Sequence, residues 1–81
     1  MNQIIFNSLS EYITVNILRQ PQRKISPSEA LISSGLIDSF SLVDLALFIE
    51  ENHGVRIDDT ELNASTLDSL EQLVAIIEER S

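Results

Sequence analysis

The 81-residue chain contains no cysteine and no tryptophan, only two glycines and two prolines, and only five basic residues. The absence of cysteine excludes disulfides, a thiolate nucleophile and every zinc site that needs sulfur ligands. The five bases stand against 13 acids, and a formal net charge of -8 disfavours nucleic acid as a partner. The longest apolar run, Leu45 to Ile49, is far shorter than the roughly 20 residues that cross a bilayer, so no membrane span is expected.

The length and composition predict one small domain over residues 1–81. Hydrophobic residues at 43% and charged residues at 22% are ordinary values for globular proteins, and a chain this short supports a single core. The first residues lack the basic segment and the small-residue cleavage site of a signal peptide. We therefore expect a cytoplasmic protein, and we expect it to be monomeric.

Apolar residues three and four positions apart predict a first helix from Gln3 to Leu18. Pro21 blocks its continuation. The connection that follows, residues 20–38, contains both prolines and a capping box at residues 26–29, which predicts one short turn ended by Gly35. A connection of this length in a small domain is often functional.

The strongest helical pattern runs from Ser39 or Ser41 to Asn52, and Gly54 is its expected C-cap. Residues 55–57 alternate in hydropathy, but they have no strand partner elsewhere and are expected to form a loop.

A one-turn helix is expected at residues 58–62, and a second capping box, formed by Ser65 and Asp68, is expected to open the last helix. The predicted fold is therefore all-α, a small bundle of four helices, of which three are long and one is short.

The segment from Gly35 to Phe40 reads GLIDSF, and an acidic amphipathic helix, SLVDLALFIEENHGVRI, follows it. This stretch resembles the phosphopantetheine attachment region of the acyl and peptidyl carrier proteins. The likeness extends from the first helix to the last. It implies the acyl-carrier fold, a four-helix bundle with a long loop between its first two helices and a modified serine that opens the second helix.

Matched to that family, Ser39 takes the place of the modified serine and Asp38 that of the preceding acid. The resemblance implies that a phosphopantetheinyl transferase moves 4′-phosphopantetheine from coenzyme A onto the Ser39 hydroxyl. The arm then carries acyl or aminoacyl groups as thioesters. The implied partners are this transferase and acyl or aminoacyl ligases and transferases, whose basic patches meet Asp44, Glu50 and Glu51.

Two phenylalanines depart from the family pattern. Phe40 stands where leucine usually follows the serine, and the resemblance associates this variant with D-alanyl carriers and with specialised carriers outside bulk fatty-acid synthesis. Phe48 falls by helical phase on the charged face, between Asp44 and Glu51. We therefore predict that Phe48 is exposed and anchors a partner, together with Phe40. The alternative is that its ring turns into a flanking pocket.

Catalysis by Ser39 would require a base within hydrogen-bond reach. The only histidine, His53, lies about 21 Å away along the predicted helix, so we expect no enzyme activity. No metal site is expected, since no second histidine or cysteine exists.

We predict a stand-alone acyl carrier that shelters its cargo between the second and last helices. The candidate lining residues are Val43, Leu47, Ile57, Leu67 and Leu70. An aminoacyl carrier of D-alanyl or peptidyl type and an unmodified acidic interaction module are the alternatives.

Overall fold

The computed structural model describes residues 2–80, and of Asp59 it describes the backbone alone. Over this range the chain forms helices and connecting segments without a β-strand. The elements are α1 (Gln3–Tyr12), a π-helical continuation (Ile13–Ile17), α2 (Ser39–His53), a 3₁₀ turn (Asp59–Glu61), α3 (Ala64–Leu67) and α4 (Leu70–Arg80). The predicted all-α bundle with three long helices and one short one is confirmed.

The first helix follows its prediction but ends in a wider turn. Asn2 caps α1, because its side-chain oxygen accepts hydrogen bonds from the N–H groups of Ile4 and Ile5. In the π-helical continuation the Leu18 N–H donates to the carbonyl of Ile13, five residues back. The helix stops at Arg19, whose φ of 55° lies in the left-handed region.

The second helix begins at Ser39, and Asp38 is its N-cap. Ser39 is therefore the first helical residue rather than a capping residue. The apolar stripe of Leu42, Leu45 and Ile49 is buried against the rest of the bundle. Gly54 ends the helix as predicted, with a φ of 69° and an N–H group that donates to the carbonyl of Glu50.

The predicted capping box of Ser65 and Asp68 is wrong, and two helices stand where one was expected. Asn63 caps the short α3 by accepting hydrogen bonds from the N–H groups of Ser65 and Thr66. The box that precedes α4 is formed by Ser69 and Gln72. The Gln72 side-chain oxygen accepts from the Ser69 N–H at 3.0 Å, while the Gln72 N–H donates to the Ser69 hydroxyl at 3.3 Å.

The long connection is part of the core rather than a loose loop. It contributes three buried side chains, Ile25, Leu31 and Ile37, to a cluster of buried apolar residues from every helix. The short turn expected after the capping box is present as hydrogen-bonded turns at residues 27–28 and 32–35, and the second of these ends at Gly35. Because Ile37 is 2% exposed, the chain is fixed immediately before Asp38 and Ser39.

No helix within residues 2–80 has the length and apolar character needed to cross a membrane.

Candidate functional site

Ser39 is exposed at the beginning of α2. The Asp38 carboxylate accepts a hydrogen bond from the Ser41 N–H at 2.8 Å, which stabilises the first turn without using the Ser39 side chain. Hydrogen bonds from the Ser41 N–H, the Ser41 hydroxyl and the Phe40 N–H lower the pKa of Asp38. The Ser39 hydroxyl thus lies at the positive end of a helix dipole, where an attached anion is stabilised.

Asp68 fixes the connection that leads to Ser39. Its carbonyl accepts a hydrogen bond from the Leu31 N–H at 2.6 Å. Its carboxylate accepts from the N–H groups of Ile32 and Ser33 at 2.8 and 2.9 Å, and from the Ser33 hydroxyl at 2.6 Å. These bonds, led by the one from the Ser33 hydroxyl, lower the pKa of Asp68. The junction between α3 and α4 therefore holds the segment before the attachment region.

Further backbone hydrogen bonds complete this arrangement. The Glu71 N–H donates to the carbonyl of Pro27 at 3.0 Å, and the Ile37 N–H donates to the carbonyl of Leu31 at 2.9 Å. Gly35 makes the sharp turn between Leu31 and Ile37. Its φ of 80° is one that glycine adopts without a steric penalty. Together with the bonds of Asp68, these contacts fix the connection that leads to Ser39.

Three apolar side chains on α2 are exposed to solvent. Phe40 is 83% exposed, Val43 47% and Leu47 51%, and their spacing places them on one stripe of the helix. Phe40 was identified from the sequence as a recognition residue, whereas Val43 and Leu47 were identified only as cargo-lining residues. The helical spacing of the three side chains was the available signal for this larger apolar surface.

The acids of α2 flank this stripe and are also exposed, namely Asp44, Glu50 and Glu51. Among the described residues, the ion pairs join Arg23 to Glu29 and Arg80 to Glu61. None of the carboxylates of α2 takes part in these pairs. The face of α2 therefore combines an apolar stripe with unneutralised negative charge, as a docking surface for basic proteins requires.

A groove of about 310 Å³ runs beside this face. It is lined by Val43, Ala46, Leu47, Glu50, Arg56, Ile57 and Leu62. Of the predicted lining residues, Val43, Leu47 and Ile57 lie here, whereas Leu67 and Leu70 do not line it and are fully buried in the core. The guanidinium of Arg80 pairs with Glu61 and donates to the Arg56 carbonyl, which holds the far wall of the groove to α4.

The prediction that Phe48 is exposed is wrong. Its side chain is half-buried and stacks on Tyr12 of α1, with ring centroids 4.2 Å apart. The His53 ring meets it edge-on at 6.0 Å. The alternative, rotation into a flanking pocket, is the observed conformation.

His53 lies at the opposite end of α2 from Ser39. Its Nε2 is 3.1 Å from the hydroxyl of Ser8 on α1, so it connects the end of α2 to the first helix. This contact places the only histidine in the interface between helices and away from the attachment region.

The family model for the phosphopantetheine attachment site matches residues 11–74, which include the connection, α2, α3 and the first five residues of α4. The chain belongs to this family. As a phosphopantetheine attachment domain, it is the site of covalent attachment of 4′-phosphopantetheine. Carrier domains of this kind are generally not catalytic, and they interact with phosphopantetheinyl transferases and biosynthetic enzymes. A search of the curated proteins gives no match to this chain.

Proposed function

We propose that residues 1–81 form one carrier domain in which Ser39 bears the phosphopantetheine arm and shuttles thioester-bound acyl groups between enzymes. The observation that carries this assignment is the exposed Ser39 at the first position of α2, directly after the Asp38 cap. In this role the protein is a substrate and a carrier rather than a catalyst.

The residues around Ser39 fit the phosphodiester that the modification would create. An α-helix leaves its first N–H groups without intrahelical partners, and these groups stabilise an anion attached to its first residue. Ser39 and Phe40 both point to solvent, which leaves room for the transferase to reach the hydroxyl.

The modification is a transfer in which a phosphate ester bond to Ser39 replaces the phosphoanhydride bond of coenzyme A. The Ser39 oxygen attacks the phosphorus atom that carries the pantetheine moiety of coenzyme A and forms a new P–O bond. The P–O bond of the pyrophosphate breaks, and adenosine 3′,5′-bisphosphate leaves. The hydroxyl proton passes to a base of the transferase, since His53 contacts Ser8 at the other end of α2.

An acyl cargo is favoured by the groove beside α2. Its lining combines the charged Glu50 and Arg56 with apolar side chains. The apolar side chains offer a place for a chain tethered at the start of the same helix, and burial of each methylene is worth about 0.8 kcal/mol. The exposed Phe40, in place of the usual leucine, disfavours bulk fatty-acid synthesis and is compatible with both a specialised acyl carrier and a D-alanyl carrier. An aminoacyl carrier of D-alanyl or peptidyl type would need no such groove.

The test is incubation of the protein with coenzyme A, magnesium and a broad-specificity phosphopantetheinyl transferase, followed by intact mass measurement. The expected product carries one phosphopantetheine group. Ser39→Ala should abolish the mass increase, whereas Ser41→Ala, the matched control two residues away, should retain it. Modification of the Ser39→Ala protein would overturn the assignment. A wild-type protein that is never modified would instead support an unmodified interaction module.

A further inference from the structure

A second groove, of about 330 Å³, lies between α1 and α2. It is lined by Ser8, Glu11, Tyr12, Asn16 and Phe48, and it shares no residue with the groove of about 310 Å³ described above. At 100° per residue, Asp44 and Glu51 form the exposed ridge of α2, with Val43 and Leu47 on one side and Phe48 on the other. The two grooves therefore flank the same acidic ridge.

The floor of this second groove is aromatic. Tyr12 and Phe48 stack with an interplanar angle of 26°, so each ring covers one face of the other, and both half-buried side chains belong to the lining of the groove. The face of an aromatic ring carries negative electrostatic potential and attracts cations. A cation that enters the groove would therefore be attracted to the ring faces that the stack leaves uncovered.

Carboxylates surround this floor. Glu11 belongs to the groove itself, and Asp44 and Glu51 lie near enough to Tyr12 that, after burial, their charges raise the pKa of its phenol. None of these three acids takes part in the ion pairs found within residues 2–80. The groove therefore combines aromatic rings with negative charge that no basic side chain in the described part of the chain neutralises. Such a site is complementary to a cation from another molecule.

We propose that this groove binds the guanidinium group of an arginine side chain from a partner protein. Guanidinium is planar, stacks on aromatic faces and donates paired hydrogen bonds to a carboxylate such as that of Glu11. An ammonium group is more strongly hydrated and cannot stack in this way, so lysine fits less well. The side-chain oxygen of Asn16 offers a further acceptor in the lining.

A protein is favoured over free arginine as the source of this group. The carboxylate of the free amino acid would be repelled by Glu11, Asp44 and Glu51, whereas an arginine within a polypeptide has no such charge. The groove also adjoins the acidic ridge of α2. A basic partner that covers this ridge would therefore bring its arginine side chains to the groove.

The probe for this proposal is N-acetyl-arginine N-methylamide, with N-acetyl-lysine N-methylamide as its charge-matched control. Each is titrated into the complete ¹⁵N-labelled chain while backbone amide shifts are recorded. The arginine probe should shift the amides of Ser8, Glu11, Tyr12 and Phe48 in a saturable manner. The lysine probe should bind about two- to fivefold more weakly, because it lacks the stacking contribution.

Two variants locate the site. Phe48→Leu removes the ring while it keeps an apolar side chain, and Glu11→Gln removes the charge at an exposed position; each should weaken binding of the arginine probe. Phe6→Leu, at a half-buried phenylalanine of α1, and Glu79→Gln make the same changes outside the groove and should not weaken it. Equal binding of both probes, shifts spread over the acids of α4, or unchanged binding in Phe48→Leu and Glu11→Gln would overturn the proposal.

Discussion

Asp68 holds Ser33 by two hydrogen bonds: the Ser33 N–H donates to Oδ1 at 2.9 Å and the Ser33 hydroxyl donates to Oδ2 at 2.6 Å. The two residues are 35 positions apart in the sequence. This contact joins the connection before Ser39 to the junction of α3 and α4, so the attachment region depends on a distant part of the chain.

Replacement of Asp68 by alanine should release that connection. Without the carboxylate, the N–H groups of Ile32 and Ser33 lose their acceptor and should exchange with deuterium faster than in the wild type. Modification of Ser39 should become slower, while the helices persist. Asp58→Ala, which removes an exposed carboxylate that makes no hydrogen bond to the connection, is the control. Unchanged exchange at Ile32 and Ser33 would contradict the role of Asp68.

Phe48→Ala should lower the free energy of unfolding by about 1–3 kcal/mol. This range lies below the cost of truncating a fully buried phenylalanine and above that of a surface substitution, because the ring is half-buried and stacked on Tyr12. Phe40→Ala, at a side chain that is 83% exposed, should change stability by no more than about 0.5 kcal/mol. Chemical denaturation of both variants measures the difference. Equal effects would show that the stack does not stabilise the bundle.

The Glu61–Arg80 pair predicts a stability loss in acid. Hydrogen bonds from Arg80 and from the Asp58 N–H lower the pKa of Glu61 from 4.5 to about 2. A carboxyl with a lowered folded-state pKa stabilises the fold fully above its unfolded value and loses this effect as the pH falls through the folded value. The contribution should therefore disappear between pH 4.5 and about 2.

Urea denaturation of Glu61→Gln across this pH interval tests the assignment. The variant should be less stable than the wild type near neutral pH, and its stability should fall less steeply in acid. Glu71→Gln removes an exposed carboxylate at the start of α4 and serves as the control. If Glu61→Gln and wild type lose stability in parallel, the pair does not supply this pH dependence.

Asp44→Lys should slow the modification of Ser39 at low ionic strength. The substitution replaces an attractive charge by a repulsive one on the surface proposed to meet the transferase, and such changes act mainly on association rates. Added salt should reduce the difference from wild type, because exposed charges are screened. Glu79→Lys makes the same charge change on α4, and its rate should remain closer to that of the wild type. Identical rates for the two variants would indicate that α2 does not steer the transferase.

An octanoyl group on the arm should raise the thermal midpoint above that of the unloaded carrier. Burial of the chain in the groove beside α2 is favourable by about 0.8 kcal/mol for each methylene that leaves water. Leu47→Ser should reduce this increase, whereas Ile4→Ser, at a 79% exposed apolar residue on α1, should preserve it. The absence of any increase in the wild type would favour an aminoacyl cargo.

Local signals in the sequence were sufficient to predict most of the fold. Helical spacing predicted the buried stripe of α2, and Gly54 predicted its end, because both depend on residues within a few positions of one another. The position of Ser39 at the start of this helix followed from the same pattern and from the resemblance to carrier proteins. The assignment of Ser39 as the attachment residue remains a prediction.

The errors arose where distant residues decide the structure. Asp68 has the spacing of a capping-box partner for Ser65, yet its carboxylate instead satisfies N–H groups of the connection. Phe48 has the phase of an exposed residue, but Tyr12 on α1 offers a ring on which it stacks. In both cases a tertiary contact overrode a pattern that extends only three or four residues.

The hydrogen bond between Ile32 and Asp68 spans 36 residues and has a consequence for the order of folding. Contacts between residues that are distant in the sequence form late in folding. The chain loses conformational entropy when it brings such residues together, and the contact stabilises the fold only afterwards. During synthesis, the segment before Ser39 leaves the ribosome well before Asp68 does. The region around Ser39 should therefore become ordered only after Asp68 has emerged, so a transferase that requires the ordered conformation would act only on chains that have been synthesised beyond that residue.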